Sequence, residues 1–398
     1  MNLKTRSFPY PQFESASIYV HFVVALNSLI IIPLAAYILP DTQLSPSLIG
    51  YLISGKSIFA LATSYLVRQK RAHDLALMKF FLLLLSVLTF LFTRATSFEI
   101  MFVYQSLMGC CCGAISVMNF NDVVSRSKVD DRKKKIGSLL SCYPLSLAIG
   151  VSPLIFIAGN YGWRVSLQLL AMLTLLGLVS VFFRQVPASV EFSEPPATTP
   201  MIQPVSWFDF VLCCSTIFMC VFSTFLFSVQ LPTFLLTQLH IPSYLLSISY
   251  VIGGLGCFIT VRRYTKKQNT FLPIRNILLA SVAVSVLAVL VFCSQQVYVA
   301  AASFILFVLI SASRTLVVKT DILHQASEGL RTLMVGTQGG VQYVAMALAG
   351  SSSSLILASG NDGLNYSLLA EIGVATSLFV PILCVVLRCR YNKKPSDG

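Results

Sequence analysis

The sequence predicts an all-α membrane protein of twelve transmembrane helices, arranged as two six-helix bundles with both termini in the cytoplasm. Of the 398 residues, 56% are hydrophobic and only 11% are charged, whereas an average soluble domain carries about a quarter charged residues. So little charge cannot cover the surface of a soluble protein, which excludes that class. In lipid each spanning segment must satisfy its own backbone hydrogen bonds, so long apolar helices are expected.

Twelve apolar runs approach the length of about 20 residues that a helix needs to cross the hydrocarbon core. The second run is the least clean, because Lys56 interrupts it. The eleven cysteines lie in these runs, apart from Cys389, and are expected to act as small packing residues. The predicted spans are 17–39, 48–67, 75–93, 98–120, 136–158, 163–184, 206–230, 243–261, 274–293, 297–318, 332–357 and 367–388.

The net charge of +13 follows a topological pattern. With a cytoplasmic N-terminus, the inner loops, inner span ends and tails hold 23 of the 28 Lys and Arg residues. This positive-inside distribution favours a multi-pass protein of the inner membrane, in contact with lipid and with both termini in the cytoplasm. Binding of nucleic acid is not predicted, since the basic clusters recur at every second loop as topology requires.

The spans divide into six plus six around a Pro- and Ser-rich stretch. We predict an N-terminal bundle over 1–184, a cytoplasmic linker over 185–205 and a C-terminal bundle over 206–398. Weak internal symmetry of this kind is typical of secondary transporters built from repeats. No nucleotide-binding P-loop and no cysteine pair of metal-site type occurs, so neither a cofactor nor a metal is expected.

The fifth and sixth predicted spans carry the most specific pattern. Pro153 removes one backbone hydrogen bond and should kink the fifth span. Gly150 and Ser152 should let a neighbouring helix approach closely. A tight turn precedes Trp163 and Arg164, and Arg164 is expected to anchor to lipid headgroups or to an adjacent helix end.

With these motifs the sequence resembles the major facilitator superfamily, and within it the drug/proton antiporters. The proline of the fifth span and the following Trp-Arg pair match that family, whose fourth span carries an arginine and, four residues on, a glycine. Here Gly109 and Gly113 keep the small-residue face of the fourth span, but Gln105 stands at the arginine position. The resemblance implies the major facilitator fold, a small-molecule substrate, and a proton as the candidate coupling ion.

Proton coupling in such proteins usually relies on a carboxylate at mid-membrane depth. All fifteen acidic residues here lie in loops, tails or span ends. His21, Asp122 or Glu99 would have to serve as the coupling group, unless the substrate itself carries the proton. His21 is also open to the commoner role of a packed histidine with a satisfied hydrogen bond.

Two cationic residues stand inside predicted spans and are candidates for function. Lys56 lies near the middle of the second span, where it should attract an anion in a central cavity. The alternative is a structural lysine that snorkels toward the interface or pairs with a backbone carbonyl. Arg314 lies toward the inner end of the tenth span. It should either anchor that helix or form an inner gate with Asp321, Glu328 and Arg331.

Uncharged polar residues complete the candidate site. Gln338 and Gln342 are one helical turn apart, so they should share a face of the eleventh span. Asn27 and Tyr143 are similar candidates on the first and fifth spans. For all four, substrate contact and hydrogen bonding between helices stay open as alternatives.

We therefore predict a monomeric secondary transporter that exports a small anionic, carboxylate-type metabolite or chelator by alternating access. A proton-coupled exporter of drugs or cations is the alternative within transport. A membrane sensor that kept the fold without transporting is the alternative outside it. An enzyme is not expected, because no catalytic set of residues occurs at membrane depth.

Overall fold

The computed structural model describes residues 11–70, 75–125, 129–183, 206–266, 273–360 and 364–392, and these form helices and no strand. A 3₁₀ turn, Pro46–Leu48, precedes α3, and a π-helical turn, Ser146–Val151, joins α6 to α7. The helices are α1 (Pro11–Leu29), α2 (Ile31–Thr42), α3 (Ile49–Lys70), α4 (Leu75–Phe92), α5 (Phe98–Ser125), α6 (Val129–Leu145), α7 (Ser152–Tyr161), α8 (Trp163–Phe182), α9 (Trp207–Ser228), α10 (Leu231–Thr237), α11 (Ser243–Lys266), α12 (Ile274–Cys293), α13 (Val297–Gln325), α14 (Glu328–Ala358) and α15 (Tyr366–Asn392).

The number of apolar spans is slightly lower than the sequence predicts. Within the described ranges, 10 helices are long and apolar enough to cross a membrane, or up to 11 if the bent pair α1 and α2 is one span. The helix that is left out is α3, whose mean hydropathy is lowered by Lys56 and by its glycine and serine residues. The predicted linker 185–205 lies outside the described residues.

The first predicted span is broken rather than continuous. α1 and α2 meet at Ile30 with a bend of 42°. Pro33 lies in the first turn of α2 and has no N–H to donate to the carbonyl of Leu29, four residues earlier. The carbonyl of Asn27, three residues before Ile30, is used in the site described below.

The fifth span is irregular on the N-terminal side of Pro153. The π-helical turn ends at Val151, and Pro153 occupies the first turn of α7, where a missing N–H costs little. Gly150 packs against α1, since a Cβ built there would lie 2.8 Å from Leu26 Cδ1. The predicted close approach at Gly150 is therefore present, and the π turn is the distortion next to Pro153.

The helices pack as two groups. The N-terminal group contains α1 to α8, and the C-terminal group contains α9 to α15. Two helix pairs join the groups along most of their length, α3 with α14 and α7 with α11. Many large apolar side chains on the outside are exposed, as expected for a surface that faces lipid; examples are Phe80, Phe182 and Leu279.

We call the end of the molecule where α1 begins the near end and the opposite end the far end. At the far end α2 packs against α10, so the two groups also meet there through the second halves of the first and seventh spans. By contrast, α1 packs on α5, α6 and α8, and α9 packs on α13, α14 and α15. The contacts between the groups are therefore richer at the far end.

Candidate functional site

Lys56 lies at the break in the first span. Its side chain is buried, and Nζ donates a hydrogen bond of 2.6 Å to the backbone carbonyl of Asn27. The structure gives the ammonium no carboxylate partner among the described residues. Because an ammonium has three N–H donors, two remain for other acceptors. The carbonyl contact that the sequence left open as an alternative is thus present.

Asn27 holds the break in place with its side chain. Nδ2 donates to the Val23 carbonyl and to Thr174 Oγ1, both at 3.1 Å, and Oδ1 accepts from Thr89 Oγ1 at 3.2 Å. These bonds connect α1 to α4 and α8. Nδ2 and Oδ1 each have partners in the N-terminal group, and Asn27 presents its backbone carbonyl, rather than its side chain, to Lys56.

Three predicted site residues carry a buried polar atom with no hydrogen-bond partner among the described residues. The atoms are Oε1 of Gln105 on α5, Nδ1 of His21 on α1 and the hydroxyl oxygen of Tyr143 on α6. Ser106, beside Gln105, has an unpaired hydroxyl too. Buried polar groups are usually satisfied, so these atoms retain capacity to bind a polar ligand.

The two glutamines of α14 have different surroundings. Gln342 Oε1 accepts a hydrogen bond from Nζ of Lys319 on α13, whereas Gln338 is half-buried. The sequence missed Lys319, because the tenth span was expected to end at 318 and α13 continues to Gln325. The signal that could have found it is the helical pattern of apolar residues that persists beyond 318.

Arg314 is buried in the C-terminal group and is surrounded by neutral acceptors. Nη1 donates to Ser281 Oγ at 3.1 Å and to Ser377 Oγ at 2.8 Å. Nη2 donates to Ser223 Oγ at 2.9 Å and to Thr224 Oγ1 at 3.1 Å. A single guanidinium therefore connects α13 to α9, α12 and α15.

The predicted inner gate is not assembled from Arg314. Asp321 instead accepts hydrogen bonds from the Tyr264 hydroxyl and from Arg388 Nη2, the latter at 3.4 Å. Arg331 donates through Nε to the Leu323 carbonyl at 2.8 Å and so caps the end of α13. The reason is helix geometry, because seven residues separate Arg314 from Asp321 and place them two turns apart.

We expect Arg314→Lys to lower the free energy of unfolding by about 2 kcal/mol, although it keeps the charge. A compact ammonium cannot reach the hydroxyls of α9 and those of α12 and α15 together, so some of them lose their bond. Thermal unfolding of the purified protein in detergent measures the change. Arg263→Lys is the control at an exposed arginine, and equal melting temperatures for the two variants would contradict the prediction.

Arg164 joins the far ends of three helices in the N-terminal group. Trp163 Nε1 donates to Asp41 Oδ2 at 2.9 Å, and Arg164 forms an ion pair with the same carboxylate. Arg164 Nε also donates to the Thr93 carbonyl at 3.2 Å. Of the two anchors predicted for Arg164, the structure contains the one at an adjacent helix end. The sequence did not indicate Asp41.

The charges are segregated by depth. Asp122 is buried close to the near end of α5, and Asp209 pairs with Arg390 at the near end of α9. Closer to the middle of the helices, Lys56 and Arg314 are cationic and donate hydrogen bonds to neutral acceptors. Among the described residues, no group of three His, Cys, Asp or Glu residues is placed to hold a metal ion. The interior of this part of the chain can therefore attract negative charge.

Comparison with known proteins supports the fold assignment. A family model described as Major Facilitator Superfamily matches residues 18–358. The crystal structure of a D-xylose-proton symporter superposes with a TM-score of 0.70 at 14% identity, over 93% of this chain and 96% of that chain.

Two further transporters are similar to a comparable degree. A point mutant of the nucleoside transporter NupG gives a TM-score of 0.68 at 13% identity, over 94% of this chain and 99% of that chain. A bacterial homologue of the human lysosomal transporter Spinster, in an inward-facing and unoccupied conformation, gives a TM-score of 0.67 at 13% identity, over 96% of this chain and 97% of that chain. At these identities the likeness shows the fold alone.

Proposed function

Because the chain belongs to the Major Facilitator Superfamily, we propose that it is a secondary transporter that carries a small organic anion by alternating access. The N-terminal and C-terminal groups are the two bodies that rock against each other. The bent pair α1 and α2, and α3, complete the twelve spans of this proposal. The same architecture, without transport, would serve a sensor.

The observation that carries the anion proposal is the environment of Lys56. Its ammonium is buried and has one neutral acceptor, the Asn27 carbonyl. A charged side chain in the hydrocarbon region is costly, and it is kept where it faces a partner, a cavity or a functional ligand. An anionic solute supplies the counter-charge that the described part of the protein does not. Gln105 lies on α5, which packs against α3, and Tyr143 lies on α6, which packs against α1. Their unpaired polar atoms would add hydrogen bonds to the solute.

The contacts between the groups support a state that is closed at the far end. Ser54 Oγ donates to the Ala347 carbonyl at 2.5 Å on the α3–α14 pair. On the α7–α11 pair, Ser152 and Ser247 each donate to the other's backbone carbonyl at 2.9 Å. If the near end is cytoplasmic, as the basic residues indicate, this is an inward-facing state that can load a cytoplasmic solute for export from the inner membrane.

A proton is the coupling ion that we consider for this transporter. In the N-terminal group, His21 and the buried Asp122 are the residues that would carry a proton if the transporter is an antiporter. An anionic substrate that takes up the proton itself would need neither. Assignment to the drug/proton antiporter subtype rests on the partial motif match in the fourth to sixth spans. We propose that the transporter works as a monomer.

A ligand screen on the purified protein tests the proposal. We expect succinate and citrate to raise the melting temperature, and D-xylose, uridine and tetraphenylphosphonium to leave it unchanged. Lys56→Gln should weaken binding of the anions about tenfold or more, as expected for a lost charge-assisted hydrogen bond. Flux of the stabilising anion into liposomes that contain the protein then separates a transporter from a sensor.

Lys79→Gln is the matched control, since Lys79 lies on the outer face of α4 with its ammonium over the Phe182 ring. Stabilisation by tetraphenylphosphonium would favour the exporter of drugs or cations. Stabilisation by xylose or uridine alone would move the substrate to the neutral sugars or nucleosides, the solute classes for which two of the similar transporters are named. Each of these results would contradict an anion carrier, as would equal anion affinities in the Lys56 and Lys79 variants.

A further inference from the structure

A second lysine with a neutral acceptor lies in the C-terminal group. Lys319 on α13 is half-buried, and its ammonium donates to Gln342 Oε1 on α14. The structure gives it no carboxylate partner among the described residues. Like Lys56, it therefore uses one of three N–H donors on a neutral acceptor.

The contacts between α3 and α14 relate the depths of the two lysines. α3 and α14 run antiparallel, with Ser54 bonded to the Ala347 carbonyl and a Cβ on Gly340 at 3.3 Å from Leu61. Interpolation between these two contacts places Lys56 about one helical turn from Gln342 along the axis, or roughly 5 Å. Side chains of a helix tilt toward its N-terminus, so Lys319 reaches from the near-end part of α13 toward mid-membrane, and Lys56 leans from α3 toward the far end. A solute that contacts both ammonium groups must therefore span an offset along the axis.

The helix α14 connects the surroundings of both lysines. Gln342 contacts Lys319, and Ser54, two residues before Lys56, donates to the Ala347 carbonyl of the same helix. α14 therefore contacts one of the two lysines directly and contacts α3 close to the other.

We propose that Lys56 and Lys319 form a two-point site for a dianion, so that the substrate is a dicarboxylate rather than a monocarboxylate. The inference rests on the proposed function and narrows its substrate class. Two ammonium groups on opposite groups of helices repel each other as the groups approach. A solute with an anionic group at each end neutralises both charges and bridges the groups. A monoanion compensates one lysine and leaves the other uncompensated.

Matched ligand pairs test this proposal on the full-length protein. The probes are succinate, glutarate and adipate, each compared with its monoamide, in which one carboxylate is replaced by a neutral group of similar size. We expect the wild type to bind the best dianion about tenfold more tightly than its monoamide. In Lys319→Gln the two affinities should become equal, whereas Lys319→Arg and Lys79→Gln should keep the preference.

The outcomes separate this inference from the proposed function. Equal binding of dianion and monoamide by the wild type, or a preference that survives Lys319→Gln, would overturn the two-point site. If Lys56→Gln still weakens both anions in that case, the anion carrier stands and Lys319 serves only to hold α13 against α14. If the wild type binds none of the anions, the proposed function fails and the inference fails with it. Lys319→Met, which removes the charge and keeps most of the side-chain length, decides the question if Lys319→Gln does not fold.

Discussion

Gly50→Leu is expected to hold the far end of the protein open and to abolish transport. Gly50 on α3 and Gly350 on α14 face each other with their backbones in direct contact. A Cβ built on Gly50 would lie 2.8 Å from the carbonyl carbon of Gly350, and a Cβ on Gly350 would lie 2.5 Å from the carbonyl oxygen of Gly50. No side chain fits between the two backbones, so the helices must separate.

Hydrogen exchange followed by mass spectrometry measures this separation. Amides at the far ends of α3 and α14 should exchange faster in Gly50→Leu, and Gly50→Ala should show a smaller increase, since even one methyl group meets the Gly350 carbonyl. Gly340→Ala is the control on α14, because its Cβ meets only the flexible tip of Leu61, at 3.3 Å. Unchanged protection in Gly50→Leu would show that this contact does not close the far end.

Gly109→Leu should cause a large loss of stability. Gly109 and Gly113 on α5 lie against the backbone of α3, and a Cβ on Gly109 would lie 2.9 Å from the Cα of Lys56. The obstacle is backbone, which cannot rotate away as a side chain can. We expect the free energy of unfolding to fall by on the order of 3 kcal/mol or more, as in severe overpacking.

Thermal unfolding in detergent again measures the effect, and Gly137→Ala is the matched control. Gly137 lies in α6 with nothing within 4 Å of a built Cβ. Alanine there should be neutral or stabilising by up to about 1 kcal/mol, because glycine is a poor helix former. A melting temperature for Gly109→Leu equal to that of Gly137→Ala would mean that α3 and α5 do not pack through this face.

The small-residue face of α5 shows how far sequence reasoning reaches. Gly109 and Gly113 are four residues apart, so their shared face and a close helix neighbour could be expected from spacing alone. The same reasoning placed Gly150 and Ser152 at a helix contact. It could not say that Gly150 meets α1 of its own group whereas Ser152 meets α11 of the other, since spacing fixes a face and not the partner.

Some of the buried cationic residues could be predicted from the sequence, whereas their partners could not. The sequence indicated Lys56 and Arg314 as intramembrane charges, because a charge inside an apolar run is visible locally. Lys319 was missed, since its position relative to the membrane depends on the length and tilt of α13. The partners of Arg314 come from three other helices, and no pattern within α13 specifies them.

By itself, then, the sequence determined an all-α membrane protein of the major facilitator type, the order of its helices and the faces on which they pack. These properties depend on hydropathy and residue size within a window of about 20 residues. Only the tertiary structure decided that the first span breaks at Ile30, that the Asn27 carbonyl receives Lys56, and that Lys319 contacts Gln342. Such contacts depend on the rotation and depth of each helix relative to distant ones, and packing of the whole bundle sets both.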